Sequence, residues 1–186
     1  EFINYLDYGY DSPVSEPFAV HMEAMPDPFR DGRHIFRVGV QAYDVPEGER
    51  KPVHLTFLVD VSGSMSAPDK LGLAKEAMKM MIDELGPDDT VALATYAGRT
   101  ARVLEPTSAG QKERIKSAID RLNSGGSTAM SAGIDIAYDM AAESFVKGHE
   151  TRVIVLSDGD ANIGNTSWDS MLSQIKTHSD RGVTLS

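Results

Sequence analysis

After Pro52, short continuous apolar runs alternate along the chain with segments whose apolar residues recur at helical spacing. The apolar runs lack the in-and-out alternation of a half-exposed strand, so they predict strands that are covered on both faces. Strands that alternate with helices predict a mostly parallel sheet with helices on both of its faces. We therefore expect a doubly wound α/β domain over residues 52–186.

The same periodicity gives the elements of this domain. Strands are predicted at Val53–Val59, Thr90–Tyr96, Arg102–Leu104, Val153–Leu156 and Gly182–Ser186. Helices are predicted from apolar positions within Leu71–Leu85, Ile115–Leu122, Ile134–Phe145 and Met171–Ile175, the last one after a capping box of Thr166 and Asp169. The connection between the second and third strands is too short for a crossover, so we expect this pair to be antiparallel, with one antiparallel strand at the edge.

Residues 1–51 differ in composition from the rest, and we expect them to form an N-terminal extension. Residues 1–52 contain six of the nine prolines and eight of the twelve Phe and Tyr residues, and residues 1–50 carry ten acidic and four basic side chains. A flexible linker would be poor in aromatic residues, so we expect this extension to be ordered and packed on the domain. A short helix is predicted at Phe2–Leu6, and strands at Pro17–Met22 and His34–Val40.

The composition of the whole chain excludes several classes of function. Lys and Arg number 18 against 28 Asp and Glu, and the formal net charge of −10 argues against nucleic-acid binding. The chain has no cysteine, which excludes disulfides, thiolate catalysis and Cys-ligated zinc. No apolar run approaches the roughly 20 residues that span a bilayer, so no transmembrane segment is predicted. Because the sequence opens with Glu1 and not with Met, we expect either an expression fragment or a processed fragment, from which any targeting signal has been lost.

Oxygen-bearing side chains follow the predicted strands at the points where the strands end. Asp60, Ser62 and Ser64 come after the first strand at every second position, so in extended chain they point the same way. Asp158 follows the fourth strand, and Thr128 closes a Gly-rich loop that lies between these two motifs in the sequence. Ligands of open α/β sheets bind outside the carboxyl ends of the strands. Carboxylates and hydroxyls without His or Cys suit a hard cation such as Mg²⁺.

These three motifs resemble the metal-ion-dependent adhesion site (MIDAS) of von Willebrand factor type A domains. They are Asp60-x-Ser62-x-Ser64, Thr128 in the Gly-Gly-Ser-Thr loop, and Asp158-Gly159, in the family's order and with helix-sized spacing. The resemblance covers residues 52–186 and implies a Rossmann-like fold, and the extension resembles the N-terminal segment of a bacterial subgroup. The family's domain has a further strand and helix after the point where this sequence stops, so the resemblance implies a domain that is incomplete at its C-terminus.

The resemblance implies a binding module and not an enzyme. Ser62, Ser64 and Thr128 would contact the metal through their hydroxyls, while Asp60 and Asp158 would hold metal-bound waters or bind directly. One coordination position would stay open for an Asp or Glu carboxylate of a protein partner. The implied ion is Mg²⁺, with Mn²⁺ or Ca²⁺ as substitutes, and the resemblance favours an exported, periplasmic or membrane-anchored protein.

The residues leave two other functions open. A Mg²⁺-dependent phosphohydrolase of the haloacid-dehalogenase type also places an Asp after its first strand, but its chemistry needs a second Asp at the position of Ser62. In a purely structural module, the metal would only stabilise the fold.

Three further patterns resemble metal sites or contain possible metal ligands, but we do not expect them to bind a metal. Residues 158–169 imitate a calcium-binding EF-hand loop, yet Ile163 stands at the position that needs glycine and no helix precedes the loop. Some members of the family carry an adjacent cation site, but Ala67 and Pro68 replace its acids here, so none is expected. The five histidines are scattered without metal-ligand spacing, and we expect them to have packing or surface roles.

Overall fold

A computed structural model of the chain describes residues 6–97, 100–126, 130–159, 168–180 and 182–186. The chain divides into two compact units, Glu1–Arg50 and Lys51–Ser186. The helix predicted at Phe2–Leu6 falls outside the described residues except for Leu6, which is not helical.

The first unit contains an antiparallel β-hairpin of strands β1 (Phe18–Pro26) and β2 (His34–Ala42). Both strands start within one residue of their predicted starts and run further than predicted. The register pairs Val20 with Val40 and Met22 with Val38, so apolar side chains share one face of the hairpin.

This apolar face is exposed to a degree that is unusual for strand residues. The exposed fractions of its large side chains are 56% for Phe18, 49% for Val20, 66% for Met22, 62% for Phe36, 54% for Val38 and 65% for Val40. A two-stranded hairpin is marginally stable alone and gains stability when such a face is covered. That residues 1–51 pack on the rest of the chain stays a prediction.

The second unit is a five-stranded sheet with helices on both faces. Its strands are β3 (Val53–Asp60), β4 (Thr90–Tyr96), β5 (Ala101–Ser108), β6 (Glu150–Leu156) and β7 (Val183–Leu185). Its helices are α1 (Leu73–Glu84), α2 (Lys112–Asp120), α3 (Met130–Glu143) and α4 (Trp168–Ser179). The strand order is β5-β4-β3-β6-β7, and only the β4–β5 pair is antiparallel. The predicted doubly wound fold and its antiparallel edge are confirmed.

Each face of the sheet carries its own core because the central strand β3 is covered on both sides. Phe57 and Val59 pack with α1 and α2 on one face, and Leu58 packs with α3 on the other. In the described parts of the chain, no helix is long and apolar enough to cross a bilayer.

Some element bounds differ from the sequence-based prediction. Helix α1 begins at Leu73, after a π-helical turn at Pro68–Gly72. Of the predicted apolar stripe of α1, Met78 and Ile82 are buried, whereas Met81 is 39% exposed. The predicted capping box of α4 lies outside the described residues at Thr166.

The amino edge of the sheet, where its parallel strands begin, carries a polar cluster around the buried side chains of Asp89 and His54. Asp89 is fully buried, and its two carboxylate oxygens accept the backbone N–H groups of Val53 (2.8 Å) and Gly86 (2.7 Å). The ring of His54 lies 2.9 Å from His149, Nε2 to Nδ1, and its Nδ1 lies 2.7 Å from the Thr90 hydroxyl. Two of the five scattered histidines therefore meet inside the fold.

Candidate metal centre

The polar residues that follow the strands lie together at the carboxyl edge of the sheet, where its parallel strands end. Asp60 is the last residue of β3, and it pairs in register with Tyr96, the last residue of β4. Ser157 and Asp158 directly follow β6, which is the other neighbour of β3. Because parallel strands present their carboxyl ends on one side, the fold brings Asp60 and Asp158 to the same edge.

Asp60 is a buried carboxylate, with only 1% of its surface exposed. Its Oδ1 accepts the backbone N–H of Ser62 at 2.8 Å, and its Oδ2 accepts the hydroxyl of Tyr96 at 3.0 Å. The Ser157 hydroxyl lies 3.5 Å from the same Oδ2. In the part of the chain that the structure describes, no Lys or Arg forms an ion pair with Asp60. Hydroxyls and one amide hold this charge in place, and a cation nearby would stabilise it further.

The hydroxyls of Ser62 and Ser64 lie side by side in the loop that follows Asp60, with their Oγ atoms 2.8 Å apart. Ser62 precedes a short 3₁₀ turn at Gly63–Ser66, which brings Ser64 back towards it. Two backbone hydrogen bonds fix this loop against the Gly-rich loop. The N–H of Gly63 donates to the carbonyl of Gly126 at 3.2 Å, and the N–H of Gly125 donates to that of Val61 at 2.7 Å.

Asp158 forms an ion pair with a lysine. The Lys70 ammonium donates to Oδ2 of Asp158 at 2.7 Å, and the exposed fractions of the two side chains are 38% and 7%. Lys70 lies in the π-helical turn that precedes α1. Both residues line an open groove of about 320 Å³, together with Leu73 and Leu156. An ammonium group thus already stands against the second carboxylate of this edge.

The Tyr96 hydroxyl lies among these charges. Burial raises the pKa of Tyr96 well above its ordinary value. A hydrogen bond with Ser157 opposes that rise, and the carboxylates of Asp60 and Asp158 add to it. Tyr96 therefore stays protonated and donates its hydrogen bond to Asp60 at any ordinary pH.

Four of the five predicted metal-site residues lie within the described part of the chain. They are Asp60, Ser62, Ser64 and Asp158, whereas Thr128 lies outside it. Most of the EF-hand-like loop, namely residues 160–167, also lies outside it.

Three residues outside the predicted metal site also lie at this carboxyl edge. Tyr96 and Ser157 each stand beside Asp60, and Lys70 contacts Asp158. The positions of Tyr96 and Ser157 at the ends of neighbouring strands could have revealed them. Lys70 had no such signal because its reach depends on the π-helical turn.

The described donors fit a hard cation in their chemistry. Each of the four offers an oxygen, as carboxylate or hydroxyl, and such donors suit Mg²⁺, Mn²⁺ or Ca²⁺. No group of three or more His, Cys, Asp or Glu side chains that could hold a metal occurs among the described residues. The site would therefore depend on its serine hydroxyls as well as on its carboxylates.

Comparison with known proteins identifies the class of this domain. Residues 55–161 match the von Willebrand factor type A domain family. This range is more than half of the 186 residues, and the chain belongs to that family.

A relative and two solved structures show what this chain is similar to. YfbK of Escherichia coli strain K12 is 36% identical over 194 residues, covering 100% of this chain, and the chain spans only 34% of the length of that relative. A structure of proximal thread matrix protein 1 from the mussel byssus has a zinc-occupied MIDAS motif. It is 28% identical, with a TM-score of 0.55, over 73% of this chain and 35% of its own.

The second structure is an aerotolerance-related membrane protein from Bacteroides fragilis. It is 26% identical to this chain, with a TM-score of 0.55, over 72% of this chain and 65% of its own. Domains of this family are generally interaction modules, and a divalent-metal site is supported by the zinc-occupied relative.

Proposed function

We propose that this domain is a Mg²⁺-dependent protein-binding module that captures an acidic group of a protein partner. The observation that carries the proposal is the hydroxyl pair of Ser62 and Ser64 beside the buried carboxylate of Asp60. Neutral hydroxyl ligands leave a bound cation electrophilic, and nearby carboxylates orient the waters that it holds.

The five residues fall into two groups in this proposal, hydroxyls and carboxylates. Ser62, Ser64 and Thr128 would hold the ion through their hydroxyls, and Asp60 and Asp158 would hold it through water or directly. Bound Mg²⁺ would supply a positive charge with an open position for a carboxylate, and Mn²⁺ or Ca²⁺ would be substitutes. The chain carries a net charge of −10, which would otherwise repel an acidic partner, so the site would provide the local attraction.

A phosphohydrolase of the haloacid-dehalogenase type is the alternative function. Its acid/base residue would have to stand at Ser62, whose hydroxyl instead lies against that of Ser64. A generic aryl phosphate in Mg²⁺ tests this directly. Sustained turnover that is lost in Asp60→Asn would favour the enzyme and contradict our proposal.

The structural neighbour from Bacteroides fragilis is a membrane protein by its description. Together with the family resemblance, it supports the proposal that this chain belongs to an exported, periplasmic or membrane-associated protein. Fractionation of cells that produce the full-length protein tests this, and recovery in the cytosol alone would contradict it.

Calorimetric titration of Mg²⁺ into the metal-free protein tests the site itself. Asp60→Ala should abolish binding because it removes a balancing charge and the group that orients the waters. Thr128→Ala should weaken binding by about tenfold because it removes one neutral ligand. Asp69→Ala is the matched control: Asp69 is an exposed acid beside the same groove, and its loss should leave Mg²⁺ binding near the wild-type level.

Both site variants should remain folded, since Asp60 is the last residue of β3 and the sequence motif of Thr128 is a polar Gly-rich one. Near-ultraviolet circular dichroism checks that point. Equal Mg²⁺ binding by wild type and Asp60→Ala would show that the metal binds elsewhere.

A further inference from the structure

We propose that the Lys70 ammonium competes with the metal ion for the carboxylate of Asp158. Lys70 would thereby lower the metal affinity of the site. The inference rests on the proposed function because it concerns the same carboxylate, Asp158. It adds a control element that the ligand motif does not contain.

Lys70 contacts Asp158 directly. The ammonium lies 2.7 Å from Oδ2, and Asp158 is only 7% exposed on its side chain. A carboxylate with so little access to water needs a counter-charge nearby. Without metal, Lys70 supplies that counter-charge.

The positive charge of Lys70 would oppose a cation bound at Asp158. A divalent cation that shares Asp158 with Lys70 is repelled by the ammonium, which also neutralises part of the carboxylate's charge. Binding of the metal and contact with Lys70 therefore oppose each other, and this coupling is reciprocal.

The surroundings of Lys70 allow it to leave. Its side chain is 38% exposed and borders the open groove of about 320 Å³. The ammonium can therefore move to water when a cation binds, at a modest cost in a flexible side chain. Lys70 does not need to rearrange the core.

Mg²⁺ titration calorimetry and thermal unfolding in a chelator test the proposal on the full chain. Lys70→Met should bind Mg²⁺ more tightly by about fivefold or more and unfold at a lower temperature without metal, because Asp158 loses its counter-charge. Lys70→Arg keeps the charge and should stay close to wild type in both measurements. Lys116→Met is the matched control, since Lys116 forms a similar pair with Asp83 (2.6 Å) at the other end of α1.

The outcomes separate the two proposals. If Asp60→Ala abolishes Mg²⁺ binding and Lys70→Met binds as wild type does or more weakly, the site stands and the role of Lys70 is overturned. If Asp60→Ala binds Mg²⁺ as wild type does, the proposed site itself fails. Tighter binding in Lys70→Met but not in Lys116→Met supports the competition.

Discussion

Two buried aspartates lie at opposite ends of the same sheet, and their partners differ. Asp89, at the amino edge, accepts one backbone N–H hydrogen bond with each of its two carboxylate oxygens. Asp60, at the carboxyl edge, accepts one backbone N–H and then the Tyr96 hydroxyl, with the Ser157 hydroxyl nearby. Their exposed fractions are nearly equal, 0% and 1%.

Burial alone therefore does not distinguish a structural carboxylate from one in the proposed metal site. Asp89 joins the start of β3 to the turn before β4 through these hydrogen bonds, so its carboxylate stabilises the fold. Asp60 stands beside serine hydroxyls on loops, and hydroxyls can turn towards a cation, which a backbone amide cannot. The kind of partner is the informative difference.

Replacement of Asp89 should give the largest effect on stability. Asp89→Ala should lower the free energy of unfolding by about 3 kcal/mol, because two partly buried N–H groups lose their acceptors. The loss should be the same with and without Mg²⁺. Urea unfolding in both conditions measures it.

Asp88→Ala is the control for this experiment, since Asp88 is the exposed neighbour of Asp89 and its loss should change stability little. Asp60→Ala should show the opposite behaviour, losing the stabilisation that Mg²⁺ adds by mass action. A Mg²⁺-dependent loss in Asp89→Ala would remove the distinction between the two aspartates.

The sequence predicts the sheet well because its strands are short apolar runs between helical segments. The third strand is the exception: β5 spans Ala101–Ser108, whereas only Arg102–Leu104 was predicted. Pro106 argues against a strand from sequence alone, but β5 is an edge strand, where a missing N–H is tolerated.

The positions of Asp60 and Ser62 could be predicted because both residues follow a strand in a known motif, while their role as metal ligands stays a prediction. The start of α1 could not be predicted, because the π-helical turn at Pro68–Gly72 has no periodic signal in the sequence. The Lys70–Asp158 pair depends on that turn and spans 88 positions of sequence. The contact of His54 with His149 spans 95 positions and was likewise hidden.

A change at Gly133 should perturb the carboxyl edge in particular. A Cβ at this position of α3 would lie 2.6 Å from Cβ of Tyr96 and 3.1 Å from Cδ1 of Leu58. Gly133→Ala should therefore cost about 1–3 kcal/mol through overpacking. It should also weaken Mg²⁺ binding, since Tyr96 holds Asp60.

Gly72→Ala is the matched control, because Gly72 has helical dihedrals and open space around its missing Cβ. That variant should gain up to about 1 kcal/mol from helix propensity. Urea unfolding and Mg²⁺ titration of both variants give the comparison. Equal stability of the two alanine variants would show that α3 can move away from the sheet without cost.

The smallest expected effect is a pH dependence that arises at the amino edge. Burial lowers the pKa of His54 below its ordinary value of 6.5, the neighbouring His149 lowers it further, and Asp89 opposes the shift. His54 therefore takes up a proton at a lower pH in the folded chain than in the unfolded chain, where it does so near pH 6.5. Stability from this group is present above that pH and is lost as pH falls below it, by at most about 1.4 kcal/mol per pH unit.

Urea unfolding between pH 8 and pH 5 in wild type, His54→Gln and His34→Gln measures this contribution. The slope of stability against pH should be shallower in His54→Gln, because the group that gains a proton on unfolding is absent. His34 is an exposed histidine of β2, so His34→Gln should keep the wild-type slope. If all three proteins show the same slope, His54 does not couple protons to folding, and the lowered pKa of its buried ring does not contribute to stability.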